Sequence, residues 1–442
     1  MNRLALALAF FTLPLPASAA LSPAEQKMAA TVEAEYERHV ALLERLVAQN
    51  SGSLNLEGVT RVGEMMRAEL EPLGFVVRWV PMAEVGRAGH IVATHKGNGR
   101  GKRMLLIGHL DTVFEKDSPF QAYKRDGDTA EGPGVGDDKG GMVVMLAALR
   151  AMQAAGTLRH ADIEVVLTGD EEDSGSPQTI SRRDLVEAGK RADVALDFEG
   201  LVVRDGQDWG SIARRSSSAW MVKATAEGGH SSGIFDSRVG EGAIYALSRI
   251  LTAFRTELRE PNLTYNVGLV AGGQQAELDV GQIRAAVAGK TNIIARIAVA
   301  RGDMRTLTDE QTARVQERMR AIVDRGYAGA EAEISFEEGY PAMAPTESSR
   351  ALLGKLNGVN KDLGLAWMPE LDPVERGAGD IAFVAKDVDG LVGLGTAGRG
   401  AHAIGETVDL PSIKRQAKRA AILMTRLSQE KRTASATSTR RP

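Results

Sequence analysis

The stretch 104-MLLIGHLDTV-113 decides the fold. Residues 104–108 are apolar or small and read as a strand buried on both faces, and that strand runs straight into His109 and Asp111. Strands buried on both faces belong to parallel sheets covered by helices. In such sheets the strand carboxyl ends line the ligand crevice, which is where this imidazole and carboxylate fall. Taken alone, His109 reads equally well as a core histidine with a satisfied hydrogen bond. Its company decides between the two.

Working outward, Ser22-Pro23-Ala24-Glu25 has the capping-box pattern with proline at the first helical position, and predicts a helix running towards residue 49. A second helix over 56–70 stops at Pro72 and Gly74, and strands are predicted at 75–80 and 90–95. Beyond the opening stretch come a helix at 142–155, closed by Gly156, and strands at 163–168 and 194–198. Helices alternating with strands predict an α/β layer with a mostly parallel sheet. The texture changes near residue 214. Strands at 219–226, 263–271, 292–299 and 332–336 alternate with helices at 240–258 and 309–323 in the order β-α-β-β-α-β, a ferredoxin-like α+β unit. Residues 279–290 read as either a hairpin strand or a loop. A helix at 347–363 and a strand at 391–394 return to the first domain. The expected layout is thus one domain from 21–213 and 339–430, with 214–338 inserted in it.

At 442 residues the chain exceeds what one core serves, which agrees with two domains. A net charge of −4 gives no basic footprint, so nucleic acid is not an expected partner. Asn2 and Arg3, the apolar run 4–15 and Ala17-Ser18-Ala19 form a secretory signal-peptide pattern over 1–20, too short for a stable membrane anchor. A secreted or periplasmic protein is expected. The Ser/Thr/Arg-rich tail 431–442 is predicted to be disordered. There is no cysteine, so any metal must be held by His, Asp and Glu.

Four further places repeat the signature of the opening stretch, an apolar strand or Gly-rich turn ending in a carboxylate or imidazole. They are Asp137 and Asp138 in GPGVGDDKGG, Glu171 and Glu172 in LTGDEEDSG, Glu199 in ALDFEG, and His402 in GRGAH. Carboxylates gathered without a cation would force some of their number to stay protonated. Divalent metal removes that difficulty, and an oxygen and imidazole donor set without thiolate suits zinc, with cobalt or manganese as substitutes.

With these motifs in order, the chain resembles the M20 family of di-zinc peptidases and deacylases, near its glutamate carboxypeptidase branch. The resemblance implies a mostly parallel-sheet catalytic domain with an inserted lid/dimerisation domain, two zinc ions per subunit and a homodimer. It implies that His109 and Glu199 bind one zinc, Glu172 and His402 the other, and that Asp137 bridges them. Asp111 would orient His109, and Glu171 would act as general base in amide hydrolysis. In the lid, His230 in GGHSSG matches a histidine that reaches the neighbouring subunit's site to stabilise the oxyanion, while Asn292 and Arg305 match substrate-contacting positions. Gly377 and Gly379 form a turn whose amides would meet the substrate's terminal carboxylate.

The chain also departs from that branch. Where the branch has Arg-Pro after the last lid strand, Tyr340-Pro341 stands here, so a preference for C-terminal glutamate is not implied and Tyr340 becomes a substrate-facing candidate. Ala295 replaces a usual proline and is neutral for mechanism. His39, His90, His95 and His160 read as structural or solvated, and Asp138 and Asp170 as pointing away from the ligands. The expected activity is release of a C-terminal amino acid from a short peptide or an N-acylated amino acid. The alternatives are an aminoacylase-like N-deacylase and a non-catalytic metal- or peptide-binding homologue.

Overall fold

The computed structural model describes residues 21–432. The predicted signal peptide and the tail from residue 433 lie outside the described residues. The stretch Arg103–His109 is an inner strand of a six-stranded sheet ordered Val76–Pro81, Gly89–His95, Asp162–Thr168, Arg103–His109, Val194–Asp197 and Gly390–Leu391. The last four run parallel, and the first two form an antiparallel edge. Alternation splits the strand between two cores: Met104 and Leu106 join the larger cluster on one face, Leu105 and Ile107 the smaller one on the other. All four are at most 1 % exposed, and each contributes roughly 1.5–3 kcal/mol by leaving water.

The helix Lys139–Ala154 packs on the larger core, with every residue from Met142 to Met152 buried, and Pro411–Leu427 lies against it. The predicted capping box is present: Ser22 accepts from the Glu25 amide at 3.3 Å, and the Glu25 carboxylate accepts from the Ser22 amide at 2.7 Å. The single helix expected to follow is two, Pro23–Ala34 and Tyr36–Ala48, because Glu35 leaves helical geometry at φ −96° and ψ 9°. The late strand is only Gly390–Leu391. Past it the amides of Val392 and Leu394 turn to the carbonyls of Ser211 and Asp197.

Between these parts, Ser218–Ala226, Thr264–Tyr265, Leu269–Gly273, Ile297–Arg305 and Ala330–Phe336 form an antiparallel sheet with Ser218–Ala226 and Ile297–Arg305 at its centre. Ala243–Glu257 and Asp309–Val323 cover one face, and the core there includes Trp220 set edge-on against Phe254. This is the ferredoxin-like order. The expected strand 263–271 divides in two because the Asn266 carbonyl lies over Gly302, where a Cβ would be 1.8 Å away. The expected strand 292–299 starts later, at Ile297, since the Ile293 and Ile294 amides go to Lys290 and Gly229. The undecided stretch 279–290 belongs to a hairpin, with Gln275–Leu278 paired to Ala285–Ala288.

Candidate metal centre

In the parallel block Ile107 lies opposite Asp197, and His109 opposite Thr168. Three strand ends therefore finish level. They deliver His109, the turn holding Glu171 and Glu172, and Glu199 to one place. Asp137 enters from the N-terminal side of the helix Lys139–Ala154, and the peptide joining it to Asp138 is cis. His402 comes from a loop where its φ of 65° lies in the left-handed region, unusual for a non-glycine residue.

Asp137 sits between the two imidazoles, its Oδ1 3.1 Å from His109 Nε2 and its Oδ2 3.1 Å from His402 Nε2. Glu172 Oε2 is 3.0 Å from His402 Nε2. Donor atoms of His109, Asp137 and Glu172 lie within 4.8 Å of one another, as do those of His109, Glu171 and Glu199. Glu172 Oε1 is enclosed without a hydrogen-bond partner. An orphaned oxygen inside a ring of imidazole and carboxylate donors fits a metal pair.

The electrostatics agree. Burial raises the Asp137 carboxyl, but the hydrogen bonds of His109 and His402 outweigh it and hold the group well below the usual range. Burial opposes a proton on His109, yet Asp111 and Asp137 push its pKa well above normal. Asp137 and Glu172 lift His402 to about 11. Burial lifts Glu172 to about 7 against the pull of His402, and it lifts Glu171 well above a carboxylate's ordinary value.

Asp111 is fully buried and acts as a hub. It accepts from the amides of Glu171 at 3.0 Å and Glu172 at 3.1 Å and from the Ser53 hydroxyl at 2.5 Å, while Oδ1 lies 3.4 Å from His109 Nδ1. That carboxylate sets the path of the Glu171-Glu172 turn, while His109 Nδ1 hydrogen-bonds the main-chain carbonyl of Asp111 at 3.1 Å, so residue 111 aims the ring through its backbone as well as its charge. Asp138 turns inward under the strand, accepting the His109 amide at 3.3 Å, and Asp170 pairs with Arg182 at 2.6 Å. Among the other histidines, His90 is satisfied on both nitrogens, by the Gly169 amide and the Ser181 carbonyl.

The substrate-side candidates separate into two places. His230 and Asn292 share a lid cavity with Arg296, and neither lines the cavity that holds Asp137 and Glu199. Arg305 lies over Gly377, its Nη1 3.5 Å from where a Cβ would be. Gly379 is needed for a reason the sequence does not give: the Arg214 guanidinium sits 2.2 Å from its Cβ position. Tyr340 is corrected. Its hydroxyl donates to the Glu171 carbonyl at 2.6 Å and accepts from Arg182 at 2.6 Å, so it supports the Glu171 turn from behind and has no hydrogen left for a substrate.

Several residues escaped the sequence reading. Arg214 binds Glu199 Oε1 at 2.9 Å and lies 3.4 Å from Asp197. Arg182, 1 % exposed, ties together Asp170, Asp380 and Tyr340. Glu406 accepts the amides of Gly134, Gly136 and Asp137, which fixes the glycine loop. Lys139 is fully buried, donating to the Gln49 carbonyl at 2.9 Å, and burial pulls it down to about 7. The one available signal was a charge set among small or apolar neighbours, as in Ile212-Ala213-Arg214.

The family model for peptidase family M20/M25/M40 matches residues 105–426. Carboxypeptidase G2 of Pseudomonas sp. (strain RS-16) is 29 % identical over 395 residues, covering 87 % of this chain and 88 % of that protein. Human aminoacylase-1 is 26 % identical over 279 residues, 61 % of this chain and 66 % of that protein. Among solved structures, an M20 family metallo-carboxypeptidase from Sulfolobus solfataricus superposes with TM-score 0.67 at 16 % identity, over 88 % of this chain and 99 % of that one. A dinuclear metal binding peptidase of the M20 family from Bacillus subtilis does so with TM-score 0.63 at 17 % identity, over 90 % and 99 %.

Proposed function

The chain belongs to peptidase family M20/M25/M40, and from that premise we propose that it is a two-metal carboxypeptidase releasing the C-terminal amino acid of a short peptide or an N-acylated amino acid. It is a hydrolase of a metallopeptidase family. The observation that carries the finer reading is Asp137, whose two oxygens each face a different imidazole at 3.1 Å. His109 and Glu199 would hold one ion, His402 and Glu172 the other, with Asp137 shared; zinc suits these donors. Two such ions supply Lewis acidity at the scissile carbonyl and a low-pKa water.

The chain's own groups do the rest. Glu171 takes the proton of the attacking water and delivers it to the leaving nitrogen. Asp111 and Tyr340 fix the backbone from which Glu171 projects. Arg305 and the 377–379 turn are the groups we assign to the substrate's terminal carboxylate. For His230 we assign the oxyanion role across a dimer. A homodimer through the lid is supported by its exposed apolar side chains, Val270, Val280, Ile283 and Val287 among them, at 56 % exposure or more. We also take the protein to be exported. No helix among the described residues is long and apolar enough to cross a membrane.

Aminoacylase-1 among the relatives supports a second reading, N-deacylation at the same site. Gly-X dipeptides, γ-glutamyl conjugates and N-acetyl amino acids, assayed side by side with metal analysis, separate the two. The carboxypeptidase reading expects peptide turnover. Turnover of N-acyl substrates alone would replace it with the deacylase. Glu171→Gln is expected to keep its metal and lose about a thousandfold in kcat.

A further inference from the structure

The turn 377–379, assigned above to the substrate's terminal carboxylate, is held from both ends by buried arginines, and each arginine also holds a group of the metal centre. Arg214, 5 % exposed, donates Nε to the Gly377 carbonyl at 2.9 Å, while its Nη1 is 2.9 Å from Glu199 Oε1. Arg182, 1 % exposed, donates Nε to Asp380 Oδ1 at 2.8 Å and Nη1 to Asp170 Oδ1 at 2.6 Å. Its Nη2 reaches both the Asp170 carbonyl at 2.9 Å and the Tyr340 hydroxyl at 2.6 Å. Asp380 directly follows Gly379, and Asp170 directly precedes Glu171, whose carbonyl accepts from Tyr340 at 2.6 Å. One guanidinium plane therefore lies between the residue that closes the substrate turn and the two that fix the backbone of Glu171.

The arrangement has little slack. The second oxygen of Asp380 accepts from the Thr168 hydroxyl at the end of the strand Asp162–Thr168, and the second of Asp170 accepts the Gly175 amide at 2.8 Å. Phe383, at the end of the short helix that Asp380 opens, packs edge-on against the Tyr340 ring with centroids 5.0 Å apart. Taking two carboxylates and a guanidinium out of water adds little net stability, because desolvation offsets their attraction. What such a cluster supplies is geometry, since a planar fork fixes several partners at once and a point charge does not.

We propose that Arg182 is a positioning residue that couples the terminal-carboxylate turn to the general base, so that seating the carboxylate sets the Glu171 turn for proton transfer. This rests on the hydrolase reading above and its assignment of the turn. Binding energy from a group remote from the scissile bond is then expressed in kcat. A substrate lacking the terminal carboxylate is slow even when bound.

The test compares the best substrate of the panel above with its C-terminal amide, on the metal-loaded enzyme. In the wild type the amide is expected to lose roughly tenfold or more in kcat. A loss confined to KM overturns the proposal without any variant. In Asp380→Ala, which cuts the turn from Arg182, the acid is expected to slow to the rate of the amide, so the ratio of the two kcat values falls towards one. Arg182→Lys, which keeps the charge and loses the fork, is expected to do the same. An unchanged ratio in folded, metal-loaded Asp380→Ala overturns the proposal. Amide hydrogen exchange is the second measurement and needs neither turnover nor ligand. The Glu171 and Glu172 amides, both donated to Asp111, are expected to exchange roughly tenfold faster in Asp380→Ala, with the lid strand Ser218–Ala226 unchanged. Equal exchange at Glu171 and Glu172 would also overturn the proposal. If neither acid nor amide is hydrolysed while that exchange still depends on Asp380, the hydrolase assignment fails and the coupling stands.

Discussion

The Tyr340 hydroxyl donates to the Glu171 carbonyl at 2.6 Å, and the acceptor side of the same oxygen is taken by Arg182. Residue 340 therefore bears on the proposed general base through the backbone of Glu171. Removing the hydroxyl leaves a buried guanidinium N–H and a carbonyl unpaired, which costs about 1–3 kcal/mol. Tyr340→Phe is expected to lower kcat about tenfold, with KM little changed, and to lower the melting temperature. A raised KM with kcat intact would return Tyr340 to the substrate. Tyr340→Arg would set a second guanidinium against Arg182, so it is expected to destabilise the fold and to confer no glutamate preference.

Asp111 gives a sharper separation of structure from chemistry. Its oxygens face only donors, namely two amides, a hydroxyl and the His109 ring. Asp111→Asn keeps the shape but turns an NH2 towards one of those donors. Metal affinity is expected to drop about 10–100-fold, as for other groups that orient a ligand histidine. Titration with zinc against a competing chelator measures it. Unchanged affinity would mean that the main-chain carbonyl of Asp111, 3.1 Å from His109 Nδ1, is enough to hold the ring.

Loading the metals must displace protons. Without them His402 titrates at about 11 and His109 well above its normal range, so both are imidazolium at neutral pH. A ligand imidazole must be neutral and a ligand carboxylate ionised, so loading is expected to release about two protons from the imidazoles and part of a third from Glu172, lifted to about 7, and affinity to rise steeply with pH. Calorimetry at pH 7 in buffers of different ionisation enthalpy reads the number directly. A buffer-independent heat would contradict this arrangement of His402, Asp137 and Glu172. Chelation is expected to abolish turnover, and zinc to restore it.

The parallel sheet was legible because residues 104–108 are apolar or small throughout and 163–168 and 194–198 are mostly so, with Glu164 and Asp197 the charged exceptions, and that pattern has few other uses. The convergence of His109, Glu171, Glu172 and Glu199 followed from where such strands end. What could not be read is what the side chains behind the site do. Tyr340 looked like a substrate residue because its position in the chain said so. Only the fold reveals that Arg182, 158 residues earlier, uses its hydroxyl. The requirement for glycine at 379 is likewise set by Arg214. Burial of charge depends on contacts remote in sequence, which neither periodicity nor local propensity records. The break in the lid strand where the Asn266 carbonyl lies over Gly302 escaped for the same reason.

A last prediction lies far from the site, where no metal complicates it. His39 is 1 % exposed in the helix Tyr36–Ala48, neither ring nitrogen has a hydrogen-bond partner, and the nearest acid, Glu35, is 3.8 Å away. Burial first, then Arg150 and Arg38, push its pKa down to about 3, against about 6.5 in an unfolded chain. Between those values the unfolded chain binds a proton that the fold refuses, so stability rises with pH across the window and falls as pH drops through it. From pH 7.5 to 5 the loss is about 2 kcal/mol. His39→Leu removes the titrating group while keeping the site apolar, and urea melts at pH 7.5 and 5 are expected to show a smaller acid penalty in the variant than in the wild type. Equal penalties would place the acid sensitivity elsewhere, because the neighbouring arginines keep their charge throughout that range.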